Sequence, residues 1–321
     1  MEINYCKNSD IDTKAWDRCI AGSFNNSISA FSWFLDLICD DWNALIEGDY
    51  ESVMPLTVRR VFGKEIIYPP CFAHDFGIFS NNPVTPLKTR SFINAIPSFF
   101  KYYRITLNKF NPLDSKEFNT IIHKRFELDL IKPYVKLTAD FTTELQRRLN
   151  IAMAHGYYFS AGLSPNDLIR FITEKKIRTP REIYQHDYRL LRTLISSFIR
   201  YRSGELYGLF DQHNELSSIA LVTWMNSRID LIFQTTAPDK MKDFPDLFLI
   251  DRIIDKYSET NTTLLFQSRS IPGSAIPYRD FGARETTYLE IFKNKLPFPY
   301  GLLIHHRIFK TCLSSLHSFS S

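Results

Sequence analysis

Apolar and polar positions along the chain follow two alternating patterns. In "FSWFLDLI", Phe31, Phe34, Leu35 and Ile38 recur at steps of three and four, which gathers them on one helix face. The stretch from Trp16 to Ile46 is read as two helices of this kind. "DYESVMPLTVRRVFGKEIIYP" instead reads as two β segments broken at Gly63. "PPCFAHDFGIFS" is a proline-led loop ending in a short strand, and "PLKTRSFINAIPSFFKYYRITLNKF" gives a short helix and a strand. After a further strand, "KRFELDLI", the segment "LTADFTTELQRRLNIAMAHGYYF" carries Leu145, Leu149 and Ala152 at helical spacing. These three are expected to face inward, with Arg147 and Arg148 at the polar margin, a stop at Gly156 and a strand after it.

The second half repeats this order. Ser164-Pro165 supplies an N-cap and a proline at the first helical position, and a long amphipathic helix ends before Gly204. Three strands follow, "ELYGLFD", "ELSSIALVTWM" and "RIDLIFQTTA", joined by short polar turns. "FPDLFLIDRIIDKYSE" returns to helix and "TTLLFQ" to strand. Residues 270–282 read as a turn or short helix leading to a last strand, "TTYLEI", with Gly282 freeing the bend. The expected fold is α/β (α+β) in two tandem units, 1–158 and 159–321, each a mixed, mostly antiparallel sheet flanked by helices. One large unit with a spiralling mixed sheet is the alternative.

Composition narrows the class. The chain has 321 residues, 44% hydrophobic and 23% charged, the values of an ordinary folded protein. Aromatic residues reach 15%, including 27 Phe and 16 Tyr, enough to fill a core or to line a cleft. A net charge of +4 with scattered basic pairs gives little support to nucleic-acid binding. Five widely spaced cysteines form neither a disulfide framework nor a zinc pattern, and no metal site is expected. The N-terminus has no signal-peptide pattern and no apolar run spans a bilayer, so a cytoplasmic location is expected.

The quoted segments resemble the FemAB-like branch of the GNAT acyltransferase superfamily. An early helix, a strand into "MPL", a glycine turn and a proline-rich segment before glycine appear here as "FSWFLDLI", "SVMPL", "RRVFGKEI" and "YPPCFAHDFGIF". "FELDLI", "LQRRLNIAMAHG" and the aromatic-basic pair Tyr278-Arg279 before Phe281-Gly282 extend the likeness over about residues 15–300. The resemblance implies two GNAT-like units. It also implies transfer of an acyl or aminoacyl group from acyl-CoA or aminoacyl-tRNA to an amine of a small molecule or peptide, with no tightly bound cofactor. A non-catalytic GNAT-like binding or scaffold protein is the competing reading.

Acyl transfer to an amine needs a deprotonated nucleophile and donors for the developing oxyanion, but no covalent intermediate. His74 and Asp75, on the proline-shaped loop with Tyr68, are candidate proton acceptors, and His74 also reads as an ordinary surface histidine. Tyr278 is the third candidate catalytic residue. Trp224 and Gln234 lie on adjacent strands that would floor an acceptor cleft, and Gln267 and Arg269 end the following strand. Arg269 and Arg279 are candidate forks for a carboxylate or phosphate, each competing with an ordinary surface cation. The usual GNAT phosphate loop is glycine-bearing, whereas "QTTAPDKMKDF" has no glycine. Lys240 and Lys242 are the candidates for a diphosphate there, or else solvated surface.

Overall fold

A computed structural model describes residues 2–39, 41–70, 73, 75–114, 117–177, 188–266, 278–300 and 303. Its contacts divide the described chain into two compact units. One gathers residues within 1–123 and 287–310, the other residues within 124–286.

The first unit opens with β1 (Ile3–Cys6), α1 (Thr13–Gly22) and α2 (Ser32–Ile38). An antiparallel run of β2 (Asp41–Glu47), β3 (Ser52–Val61) and β4 (Lys64–Ile67) follows. The short β5 (Phe79–Ser80) pairs with β3, and α3 (Pro86–Asn94) crosses over to β6 (Tyr102–Thr106). β6 runs parallel to β4, with Ile67 beside Tyr103. Leu45, Leu56, Phe92, Ile93, Tyr103, Ile105 and Leu107 build the apolar cluster beneath α3.

The chain continues through β7 (Thr120–Asp129), α4 (Tyr134–Thr138) and α5 (Thr143–Ala154) into the second unit. There β8 (Tyr158–Ala161) is followed by α6 (Pro165–Glu174) and α7 (Tyr188–Arg200). β9 (Gly204–Phe210), β10 (Leu216–Met225) and β11 (Arg228–Thr236) form an antiparallel run. The crossover helix α8 (Pro245–Tyr257) then leads to β12 (Thr263–Phe266), parallel to β11. α8 is buried at Pro245 to Asp251, Ile253 and Ile254, and shares a core with Leu145, Leu149 and Ala152 of α5. Those three residues are the inward face expected from their spacing.

Both units therefore repeat one order: strand, two helices, three antiparallel strands, crossover helix, parallel strand. Each is a mixed, mostly antiparallel sheet flanked by helices. The closing strands are exchanged. β7, which follows β6 in the chain, pairs with β12 of the second unit (Phe126 opposite Phe266). β13 (Arg284–Asn294), which follows β12, pairs with β6 of the first (Glu290 opposite Thr106). The compact units accordingly divide at 123/124 and 286/287, not at 158/159.

Two local readings differ from expectation. The end of the expected second helix, "DWNALIE", is β2, and β1 was not anticipated. β2 is buried from Trp42 to Glu47 on both faces, so it shows no two-residue alternation. A continuous apolar run of that kind cannot be told from helix by period. At the last turn Gly282 has φ +76°, and a Cβ there would stand 3.0 Å from Asp140 Cβ, which supports the expected role of that glycine.

Candidate functional site

Alternation along β6 sorts its side chains. Tyr103 and Ile105 enter the apolar cluster, and Tyr102, Arg104 and Thr106 take the opposite face. The β13 register sets Glu290 opposite Thr106 and Phe292 opposite Arg104. Arg104 Nε donates to Glu290 Oε1 at 2.6 Å, and its Nη2 contacts the same oxygen. Both side chains are buried, which removes the competition from water that makes surface pairs weak. His123 Nε2 lies 3.3 Å from Glu290 Oε2, near enough for an ion pair though not aligned as a hydrogen bond. The imidazole stacks on Tyr288 at 5.2 Å between centroids and 21° between planes. Thr106 Oγ1 is sealed from solvent and has no hydrogen-bond partner among the described residues.

The proline-led loop reaches this end of the sheet. Phe76 forms a parallel bridge with Leu107, the residue after β6, so Asp75 is drawn alongside the C-terminal end of that strand. Asp75 is 1% exposed. Tyr68 is buried too. Its N–H donates to Thr57 O at 3.0 Å, and Thr57 Oγ1 donates to its carbonyl at 2.5 Å. Three buried asparagines clamp the strand side of the loop. Asn25 Nδ2 donates to Ile78 O at 2.7 Å and Asn108 Nδ2 to Phe76 O at 2.9 Å. Asn111 accepts from Ile78 N at 2.7 Å and donates to Ile78 O at 3.0 Å. Gly77, at φ +90°, leaves space that a methyl group would take from the Asn111 side-chain oxygen. His74 lies outside the described residues.

In the second unit, Trp224 packs half-buried against the core, 6.5 Å from the Tyr257 ring. Gln234 is buried and its Nε2 donates to Asp246 O at 2.8 Å, tying β11 to the first turn of α8. Gln234 Oε1 has no partner among the described residues. The β10–β11 register shifts between Leu221 and Val222, leaving Ile232 as the extra residue of a bulge. Bulges of this kind take a strand's backbone groups out of the regular ladder.

Lys240 is not presented to a ligand: its Nζ lies 2.9 Å from Asp211 Oδ2, and that hydrogen bond raises its pKa against partial burial. Burial works to raise the Asp211 carboxyl, but Lys240 and the N–H groups of Glu215 and His213 hold it below its usual value. Lys242 is exposed. Burial, followed by the charges of Asp243, Asp211, Asp239 and Asp246, pushes the Tyr157 hydroxyl up to about 12. The carboxylates around 237–246 oppose a diphosphate, and of the two lysines Lys240 is already engaged by Asp211.

Tyr278 is buried with its ring stacked on Phe266 at 4.1 Å, in the apolar core. Arg279 is 74% exposed and stands 3.8 Å from Asp280 Oδ1. The geometry thus gives Tyr278 a packing role and Arg279 the place of a surface cation. Gln267 and Arg269 lie outside the described residues. An open cleft of about 380 Å³ between α6 and the β9–β10 turn, lined by Phe171, Phe210 and Leu216, holds none of the expected site residues. Its cations are already paired, Arg170 with Asp167 and Lys175 with Glu215. Among the described residues no acidic, histidine or cysteine group is arranged to hold a metal ion, and no helix is long and apolar enough to cross a membrane.

Arg104, His123, Glu290 and the three asparagines escaped the sequence reading. A lone arginine between aromatic and apolar neighbours in "YYRITL" was the one available signal for Arg104. Nothing local pointed to Glu290 as its partner, 186 residues away.

Solved structures carry the same architecture. FemX superposes with a TM-score of 0.63 at 10% identity, covering 95% of this chain and all of that one. The chain thus shares the fold of FemX. L-PGS from Bacillus licheniformis follows at TM-score 0.56 and 12% identity, covering 92% and 96% of the two chains. A tandem GNAT protein from the clavulanic acid biosynthesis pathway gives 0.52 at 11% identity, covering 92% and 99%. No family model and no curated protein sequence matches the chain.

Proposed function

We propose that this FemAB-like GNAT fold transfers an acyl or aminoacyl group from an activated ester or thioester directly to an amine. The observation that carries the reading is the polar end of the first sheet. Two buried carboxylates, Asp75 and Glu290, are brought to the C-terminal end of β6, and Arg104 is paired with Glu290 there. An ammonium acceptor gains from carboxylates that are already desolvated and held in place. Ligands of α/β sheets commonly bind beyond such strand ends. Direct transfer needs no covalent nucleophile.

Lys240 is engaged by Asp211 and the loop before α8 has no glycine, which favours an aminoacyl ester such as aminoacyl-tRNA over acyl-CoA. The test offers acetyl-CoA, longer acyl-CoA thioesters and a set of aminoacyl-tRNAs with primary-amine acceptors, and reads products by mass spectrometry. Wild type is expected to form an amide with at least one donor. Asp75→Asn is expected to lower turnover by about 10-fold or more with its melting profile retained. A wild type inactive with every donor would favour the non-catalytic scaffold reading.

A further inference from the structure

We propose that His123 is the proton acceptor of this reaction, with Glu290 and Arg104 as the pair that positions it; the assignment rests on the amine-transfer reading above. A structural Arg–Glu pair is complete without an imidazole. Here Arg104 binds Glu290 through Oε1 and leaves Oε2 toward His123 Nε2. The carboxylate is buried, whereas the imidazole keeps 24% of its side-chain surface exposed. One ring therefore reaches from a buried anion to the outside of the sheet. Stacking on Tyr288 limits rotation of the ring about its bond. Thr106, directly opposite Glu290 in the β6–β13 register, adds a sealed hydroxyl with no hydrogen-bond partner among the described residues. His155 makes the useful contrast. It stands 3.4 Å from Asp243, but both side chains are substantially exposed, at 43% and 28%, and among the described residues no arginine is paired with that aspartate.

The chemistry follows from the two nitrogens. Nε2 carries the proton toward Glu290, so Nδ1 holds the lone pair. Nδ1 takes one proton from the acceptor ammonium. The freed amine attacks the donor carbonyl, forming the C–N bond as the C–O bond of an ester or C–S bond of a thioester breaks. A second N–H proton leaves with the alcohol or thiol, and the imidazolium returns its proton to water. The 3.3 Å separation is the loose geometry that catalytic pairs show without substrate and tighten in the complex.

The test has two arms on the full chain. The first is ¹⁵N NMR of the His123 ring, which needs no substrate. A neutral Nε2–H tautomer is expected, and an Nδ1–H tautomer or an averaging ring would overturn the assignment. The second is turnover with the donor and amine panel. His123→Gln is expected to lower kcat by about 100-fold with KM changed less than about two-fold, and added imidazole to restore part of the rate in His123→Gly. Glu290→Gln is expected to lower kcat less and to shift the ring tautomer populations. An active wild type with an equally active His123→Gln overturns the role of His123 and leaves the transfer reading standing. A wild type inactive with every donor overturns both, whatever the ring tautomer.

Discussion

Two arginines show how little a residue type says without its surroundings. Arg104 and Arg279 both stand among aromatic residues in the sequence. Arg104 is buried and donates to a buried carboxylate. Arg279 sits 74% in solvent near Asp280, where water and salt screen any pairing. Arg279→Lys is therefore expected to change stability by less than about 0.5 kcal/mol and to leave donor titrations superimposable on wild type. Weaker donor binding in Arg279→Lys, measured by calorimetry, would restore the ligand role read for it from the chain. Nothing within "YYRITL" names the partners of Arg104, which belong to other strands.

Elements with strong local chemistry were legible. α6 starts where Ser164 and Pro165 said it would, and Ser164 and Asp167 form a reciprocal capping box. α5 buries the three residues its spacing selected. Leu149→Ala is expected to cost about 2–5 kcal/mol, because it opens a cavity between α5 and the core that α8 shares. Chemical denaturation checks this, and a loss under about 1 kcal/mol would mean that the α5–α8 core closes up readily. β2 was misread because burial on both faces erases the alternation that marks a strand. The asparagine clamp was missed for another reason. Asn25, Asn108 and Asn111 occur where asparagine usually signals only a turn, yet here their side chains hydrogen-bond to the backbone of residues 76–80.

At the scale of the molecule, the exchanged closing strands decide what can be separated. Residues 1–158 contain β7, which completes the second sheet, and lack β13, which completes the first. A chain cut at 158/159 leaves each fragment with an open sheet edge and a strand that has lost its partner. Fragment 1–158 alone is expected to show no cooperative melt by circular dichroism, and co-expression with 159–321 to recover one. A sharp, reversible transition from 1–158 alone would mean that the exchange contributes little to its stability.

Helix caps, apolar spacing and glycine turns act over a few residues, so the order of elements and its repetition in two units could be read from the chain. The absence of a glycine in the 237–244 loop was equally plain, and with it the doubt about a diphosphate cradle. The exchange of β7 and β13, the union of Arg104 with Glu290, and the meeting of His123 with that pair depend on strand register. Register is set by the packing of whole sheet faces, and no local pattern encodes which distant strand will lie alongside. The elements were thus settled locally, whereas the site is a product of pairing across 186 residues of chain.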